Sequence, residues 1–214
     1  MNEEFSQEGA PGEYAVVRKA ALELLCETEA GSRFVDEVLS EHIGRFERRD
    51  RHLLQEISYG ALRHQNTLDR LLKIYVKLSM DRQRAPVRWA LRLGAYQLVY
   101  LSRVPAHAAV NQTLEGMKSF QGIGRKDVGF VNAILHRLIG DITRKTGDEP
   151  AEPDDPSILP VRDGYCHFSR PVLPLVRLDQ VDHLSVKYSY PRWLVKGWLD
   201  RFGAQEARAL LIAG

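Results

Sequence analysis

The chain has 214 residues, 44% of them apolar and 27% charged, which is the mix of a globular protein with a core to bury and excludes a wholly disordered, collagen-like or disulfide-stapled chain. The net charge of +2 hides an uneven distribution: residues 1–44 carry 3 Lys/Arg against 10 Asp/Glu, whereas residues 45–145 carry 19 against 8. A basic central segment is the footprint of a module that meets phosphates, since such contacts gain affinity by releasing counterions; the plain alternative is a solvated helical surface balanced by acidic flanks.

The N-terminal residues 1–12 are acidic and lack the basic start and apolar stretch of a secretion signal, so they are expected to be a disordered start. Val16, Val17, Ala20, Ala21, Leu24 and Leu25 keep helical spacing and predict a helix over about 13–28. Gly31 and Ser32 break the chain, and Val35, Val38, Leu39 and Ile43 form a second stripe. The pattern resumes at Leu53, Leu54, Ile57, Ala61 and Leu62, and again at Leu68, Leu71, Leu72, Tyr75 and Val76, where Asn66 and Thr67 are cap candidates. Pro86 opens a helix that is apolar on most sides up to Leu101, as a central buried helix reads, and Pro105 stops it. Two more helices follow, about 106–120 and 125–140, parted by Gly122-Ile-Gly124. Residues 13–140 therefore predict an all-α bundle of about seven helices. The longest apolar stretch, Leu93–Leu101, is too short to span a bilayer.

Beyond Asp141 the character changes. Residues 141–181 contain four prolines between positions 150 and 160 and read as a linker, with a possible short hairpin around Ser169-Arg-Pro171. Helical spacing returns over 182–214, where Trp193, Leu194, Trp198 and Leu199 form a stripe that ends near Gly203, and a last amphipathic stretch runs to Ile212. An apolar helix with nothing after it to cover it suggests a truncated chain.

Few residues suggest catalysis. Cys26 continues a helical stripe, so a thiol-protease trio with His107 and Asn111 gives way to a small core residue and to capping or loop roles for His107 and Asn111, with RNA contact a lesser alternative. Cys166-His167 lacks a second ligand pair for zinc. Two cysteines 140 positions apart give no sign of an oxidising compartment, and the cytoplasm is expected. Gly122-Ile-Gly124-Arg125-Lys126 is either a phosphate cradle at a helix start or simply a turn. Gly60 and Gly94 inside helices imply close helix–helix contact, since each costs about 1 kcal/mol relative to alanine. Arginines cluster at Arg45, Arg48, Arg49 and Arg51, at Arg63, and at Arg82, Arg84, Arg88 and Arg92, where Arg88 and Arg92 share a helix face. The guanidinium fork suits phosphate. The candidate RNA-binding residues are Arg48, Arg49, Arg51, Arg63, Arg125 and Lys126; no catalytic or metal-binding residue is assigned.

The segments DRHLLQEISYGALR (50–63), LRLGAYQLVYLSRVPAHAAVNQTLEGMK (91–118) and GFVNAILHRL (129–138) resemble the NusB-like N-terminal domain of the Sun/Fmu family of 16S rRNA cytosine-C5 methyltransferases. VPAHAAVN (104–111) sets this family apart from free-standing NusB antitermination factors, and SYPRWLVKGWLDRFG (189–203) resembles the passage from bundle to catalytic part. The resemblance implies a NusB-like RNA-binding domain at 13–140, the start of a methyltransferase region at 182–214, and 16S rRNA and the chain's own catalytic domain as partners, with neither DNA nor membrane expected. It also implies S-adenosylmethionine as methyl donor on a domain lying beyond these residues, where a cysteine would attack cytosine C6 before methyl transfer to C5. No cofactor is expected in this chain itself. The alternatives are a NusB-type antitermination factor and a protein-interaction scaffold without RNA affinity.

Overall fold

A computed structural model describes residues 13–31, 33–77 and 79–213; the expected disordered start at 1–12 lies outside the described residues. Helices α1 (Glu13–Ala30), α2 (Val35–Ile43), α3 (Arg48–Arg63), α4 (Gln65–Leu72), α5 (Ala85–Tyr100), α6 (Ala106–Lys118) and α7 (Arg125–Asp141) form the expected seven-helix bundle. It is organised around α5, whose residues are buried without interruption from Trp89 to Tyr100 and which packs against α1, α3, α4, α6 and α7. Pro86 sits in the first turn of α5, where its missing N–H costs nothing, and Pro105 N-caps α6.

The in-helix glycines are places of close approach. A Cβ on Gly60 would stand 2.0 Å from Cζ of Tyr96, and one on Gly94 would stand 2.5 Å from a Leu135 methyl. Gly116 brings α6 within 2.9 Å, by the same measure, of the α1 backbone at Lys19. Beside that contact Arg18, only 2% exposed, donates from Nε to Gln97 Oε1 at 3.1 Å, and Gln97 in turn donates to Thr113 Oγ1.

The 141–181 segment holds a three-stranded antiparallel sheet, β1 (Ile142–Thr146), β2 (Ile158–Val161) and β3 (Gly164–Phe168), in the order β1-β3-β2. The hairpin turns at Arg162-Asp163 and not around Ser169-Arg-Pro171. Gly164 has φ +129°, and a Cβ there would lie 1.9 Å from Thr146 O, so the turn needs glycine. Leu159, Cys166, Phe168, Val172 and Leu173 join the core of the bundle. Asp141, at the end of α7, fastens this layer: it accepts from Tyr75 Oη at 2.8 Å and Ser169 Oγ at 2.9 Å and pairs with Arg170 at 3.0 Å. The segment is therefore a packed layer and not a free linker.

Helices α8 (Gln180–Tyr188) and α9 (Arg192–Ala213) complete the described chain, and α9 kinks at Gly203 (φ 78°, ψ 172°), where the stripe was expected to end. Their own small core is Leu184, Val195 and Leu211. Trp193, expected in the apolar stripe, points outward and is 74% exposed, because Val195 takes the buried position. Asn66 and Thr67 do not cap α4. Asn66 Nδ2 donates to Ser185 O, Ser185 Oγ and Tyr190 O, and Thr67 Oγ1 donates to Val186 O, so the polar start of α4 is the seat of α8. Asp154 anchors the Pro-rich stretch from the other side with two bonds to Arg208, 2.8 and 2.6 Å, while Lys187 donates to Pro153 O.

Candidate nucleic-acid interface

The fold sorts the basic residues into those it consumes and those it presents. Arg92, 2% exposed, holds Asp69 with two 2.7 Å bonds and lies over the Trp89 ring. Arg88 pairs with Glu29 at 2.7 Å and donates to Met80 O and Gln83 O. Arg84 pairs with Asp127 at 2.6 Å and donates to Gly122 O. The 82–92 cluster is thus largely internal bracing, and the shared face of Arg88 and Arg92 points inward.

Arg48, Arg49, Arg51, Arg63, Arg125 and Lys126 are all exposed. They do not form one patch: Arg48 and Arg63 stand at opposite ends of α3, about 22 Å apart at 1.5 Å rise per residue, and Arg125 and Lys126 start α7, on another side of α5. What five of the six share is position. Arg48, Arg49 and Arg51 occupy the first turn of α3, with Asp50 the only acid there, and Arg125 and Lys126 are the first two residues of α7. A helix start carries partial positive charge and unpaired amides, so cations cost a few tenths of a kcal/mol each at that place. These side chains are set against the polarity of their own helices, which Asp50 at α3 and Asp127 at α7 offset in part. Arg51 Nε donates to Phe46 O, which fixes the α2–α3 corner, and Arg45 leans on His42, Nη2 to Nδ1 at 2.6 Å.

The phosphate-cradle alternative at Gly122–Lys126 is corrected in one respect. The Gly124 amide donates to Asp127 Oδ2 at 2.8 Å, so the start of α7 is occupied by its own carboxylate. The Arg84 guanidinium and the Gly124 amide hold that carboxyl below its ordinary range. Beside it lies a cleft of about 760 Å3 between α6 and α7, lined by Asn111, Lys118, Arg125, Gly129 and Asn132 among others. A Cβ on Gly129 would meet nothing within 4 Å, so no neighbour among the described residues requires glycine there. Asn111, Gly124 and Arg125 already stand out in the sequence, whereas Lys118, Gly129 and Asn132 do not; the signal that points to them is this mid-helix glycine without a packing role. His107 is exposed and makes no cap, and Asn111 lines the cleft instead of holding the loop.

Neither cysteine is poised for chemistry. Burial, then the charge of Glu29, pushes the Cys26 thiol up to about 12, and burial raises Cys166 to about 11. No helix among the described residues is long and apolar enough to cross a membrane.

Seven helices organised around the buried α5 define a helical bundle of the NusB type. The NusB family model matches residues 15–140, and the chain belongs to that family. The solved structure of T. maritima NusB superposes with a TM-score of 0.54 at 21% identity, covering 59% of this chain and 90% of that one. A complex of the antitermination factors NusB and NusE with double-stranded RNA gives 0.52 at 22% identity, covering 59% and 96%. These likenesses carry the bundle fold. Among curated proteins, the chain is 28% identical to the probable ribosomal RNA small subunit methyltransferase B of Bacillus subtilis over 91% of its length, and 30% identical to ribosomal RNA small subunit methyltransferase B of Vibrio vulnificus over 88%. It spans only 37% and 36% of those two relatives.

Proposed function

We propose that this chain is the RNA-recognition region of a 16S rRNA cytosine-C5 methyltransferase, binding rRNA and orienting the target nucleotide for a catalytic domain beyond these residues, in the cytoplasm. The observation that carries the reading is how far the likenesses run. The NusB structures cover 59% of the chain, whereas the methyltransferase relatives align over 88–91%, through the sheet and into α8 and α9. That difference favours the methyltransferase reading over a free-standing antitermination factor. Cations at the starts of α3 and α7 favour a phosphate partner over a purely protein scaffold.

RNA would be met mainly through backbone and shape, because helical RNA hides its base edges in a deep, narrow major groove. Arg48, Arg49, Arg51 and Arg63 would take phosphates on α3, and Arg125 and Lys126 would take them at the start of α7, beside the amide side chains of Asn111 and Asn132. The sheet, antiparallel throughout, offers no crevice between parallel strands of the kind that holds nucleotide cofactors. The residues present therefore do not fit S-adenosylmethionine, which would bind on the further domain.

The test is binding of the chain to a fluorescent 16S rRNA hairpin at two salt concentrations, with duplex DNA as control. The expected result is RNA-preferring affinity that falls steeply with salt. Replacing Arg48, Arg49 and Arg51 together with Glu should abolish binding and leave the helical circular-dichroism signal intact. Wild-type affinity in that variant removes the α3 cluster from the interface, and an absence of binding at low salt refutes the reading.

A further inference from the structure

A second cleft, of about 350 Å3, opens where the bundle meets the C-terminal helix pair. Arg63, Gln65 and Asn66 line one wall, at the junction of α3 and α4, and Ser189 and Arg192 line the other, at the turn between α8 and α9. The second wall lies outside the 15–140 region matched by the NusB family, so the cleft exists only because α8 is seated on α4.

The charges around it are paired with one exception. Asp69, also in the lining, is held by Arg92 through two 2.7 Å bonds. Arg192 bridges Asp179 and Asp182, each at 2.9 Å. Among the described residues Arg63 has no carboxylate within ion-pair distance, and its side chain lines the cleft. The walls are rigid: Asn66 binds three acceptors on the opposite side, and Ser189 is locked in the left-handed region at φ 61° with its buried Oγ lacking a hydrogen-bond partner. α4 and α9 both begin at the cleft without an acidic residue in the first turn, while α3 and α8 end there. The helix polarities offset one another, and the free charge at the cleft is that of Arg63, whose planar fork suits a phosphate.

Building on the RNA-binding reading, we propose that this cleft is a phosphate subsite in which Arg63 grips the RNA backbone, so that the C-terminal helix pair extends the binding track beyond the bundle. The experiment measures RNA affinity of the full chain across a salt series for wild type, Arg63→Gln, Arg63→Lys and the triple Arg48/Arg49/Arg51→Glu variant. Arg63→Gln should weaken binding severalfold and lower the magnitude of the slope of log affinity against log salt by about 0.7–0.9, the share of one phosphate contact. Arg63→Lys should recover most of the slope. An unchanged slope in Arg63→Gln, with binding lost in the triple variant, overturns the subsite and leaves the RNA reading standing. Salt-insensitive or absent RNA binding by wild type overturns the RNA reading itself. Inorganic phosphate titrated at constant ionic strength separates the sources: saturable shifts of the Ser189 amide resonance, together with wild-type RNA affinity in Arg63→Gln, would mark a free-anion site and refute the RNA subsite.

Discussion

The bundle and the C-terminal helix pair are held by different physics. The bundle buries a continuous apolar cluster around α5 and brings its helices to contact distance at Gly60, Gly94 and Gly116. The helix pair has a small apolar core of its own, Leu184, Val195 and Leu211, sets Val186 into the core of the bundle, and is fastened besides by directional bonds: Asn66 and Thr67 to the end of α8, Asp154 to Arg208. Apolar packing tolerates small shifts of angle, whereas hydrogen bonds fix one pose. A region that must keep one orientation gains more from the second kind of joint.

That contrast can be broken from either side. Leu91→Ala, at a fully buried position of α5, should cost about 3 kcal/mol, within the usual 2–5 for such truncations, and lower the urea midpoint of the whole chain. Asn66→Ala should cost about 1 kcal/mol through the hydrogen bonds to Ser185 and Tyr190 that it removes. Its effect should be local: hydrogen exchange quickens in α8 and α9 while α5 keeps its protection.

Acid should act at the joint as well. Burial, then the neighbouring Arg63 charge, pushes His64 down to about 4 from an ordinary 6.5. The unfolded chain therefore binds the extra proton first as pH falls below about 6.5, and stability should decline from there towards pH 4 and be flat above. Stability measured against pH should lose much of that slope in His64→Phe. Asp141 adds a lower window. Burial raises its carboxyl, but hydrogen bonds from Tyr75 and Ser169 and the Arg170 charge more than offset this and hold it below its usual range, so its contribution is present above about pH 4 and fades below. The smallest expected effect is the most diagnostic. Gly129→Ala should stabilise the bundle by about 0.5–1 kcal/mol, since nothing crowds the new methyl, yet weaken RNA binding if backbone passes close over the α6–α7 cleft. A variant both more stable and fully competent to bind would remove Gly129 from the interface.

Most of the bundle could be read from the spacing of its apolar residues, because a helix that buries one face must repeat it. The failures came where side chains serve tertiary partners. Asn66 and Thr67 look like caps, and only the position of α8 reveals their acceptors. Ile142–Thr146 shows little alternation, with three of its five residues exposed, so its sequence carries no strand signal, and the hairpin expected around Ser169-Arg-Pro171 turns at Arg162-Asp163. The same limit applied to the interface. Arg88 and Arg92 cannot be told from Arg48 and Arg49 by residue type, and it takes Glu29 and Asp69 brought in from α1 and α4 to remove the former pair from the surface.

The seam between α1 and α6 also bears on synthesis. The seam of the first helix around the Arg18–Lys19 backbone stays open until Gly116 is available to receive it. Roughly 90 residues separate the end of α1 from that of α6, which at 5–20 residues per second is on the order of 5–20 s of translation. Over that interval α2, α3 and α5 can already pack on α1, and the face that α6 covers is the last part of it to be closed.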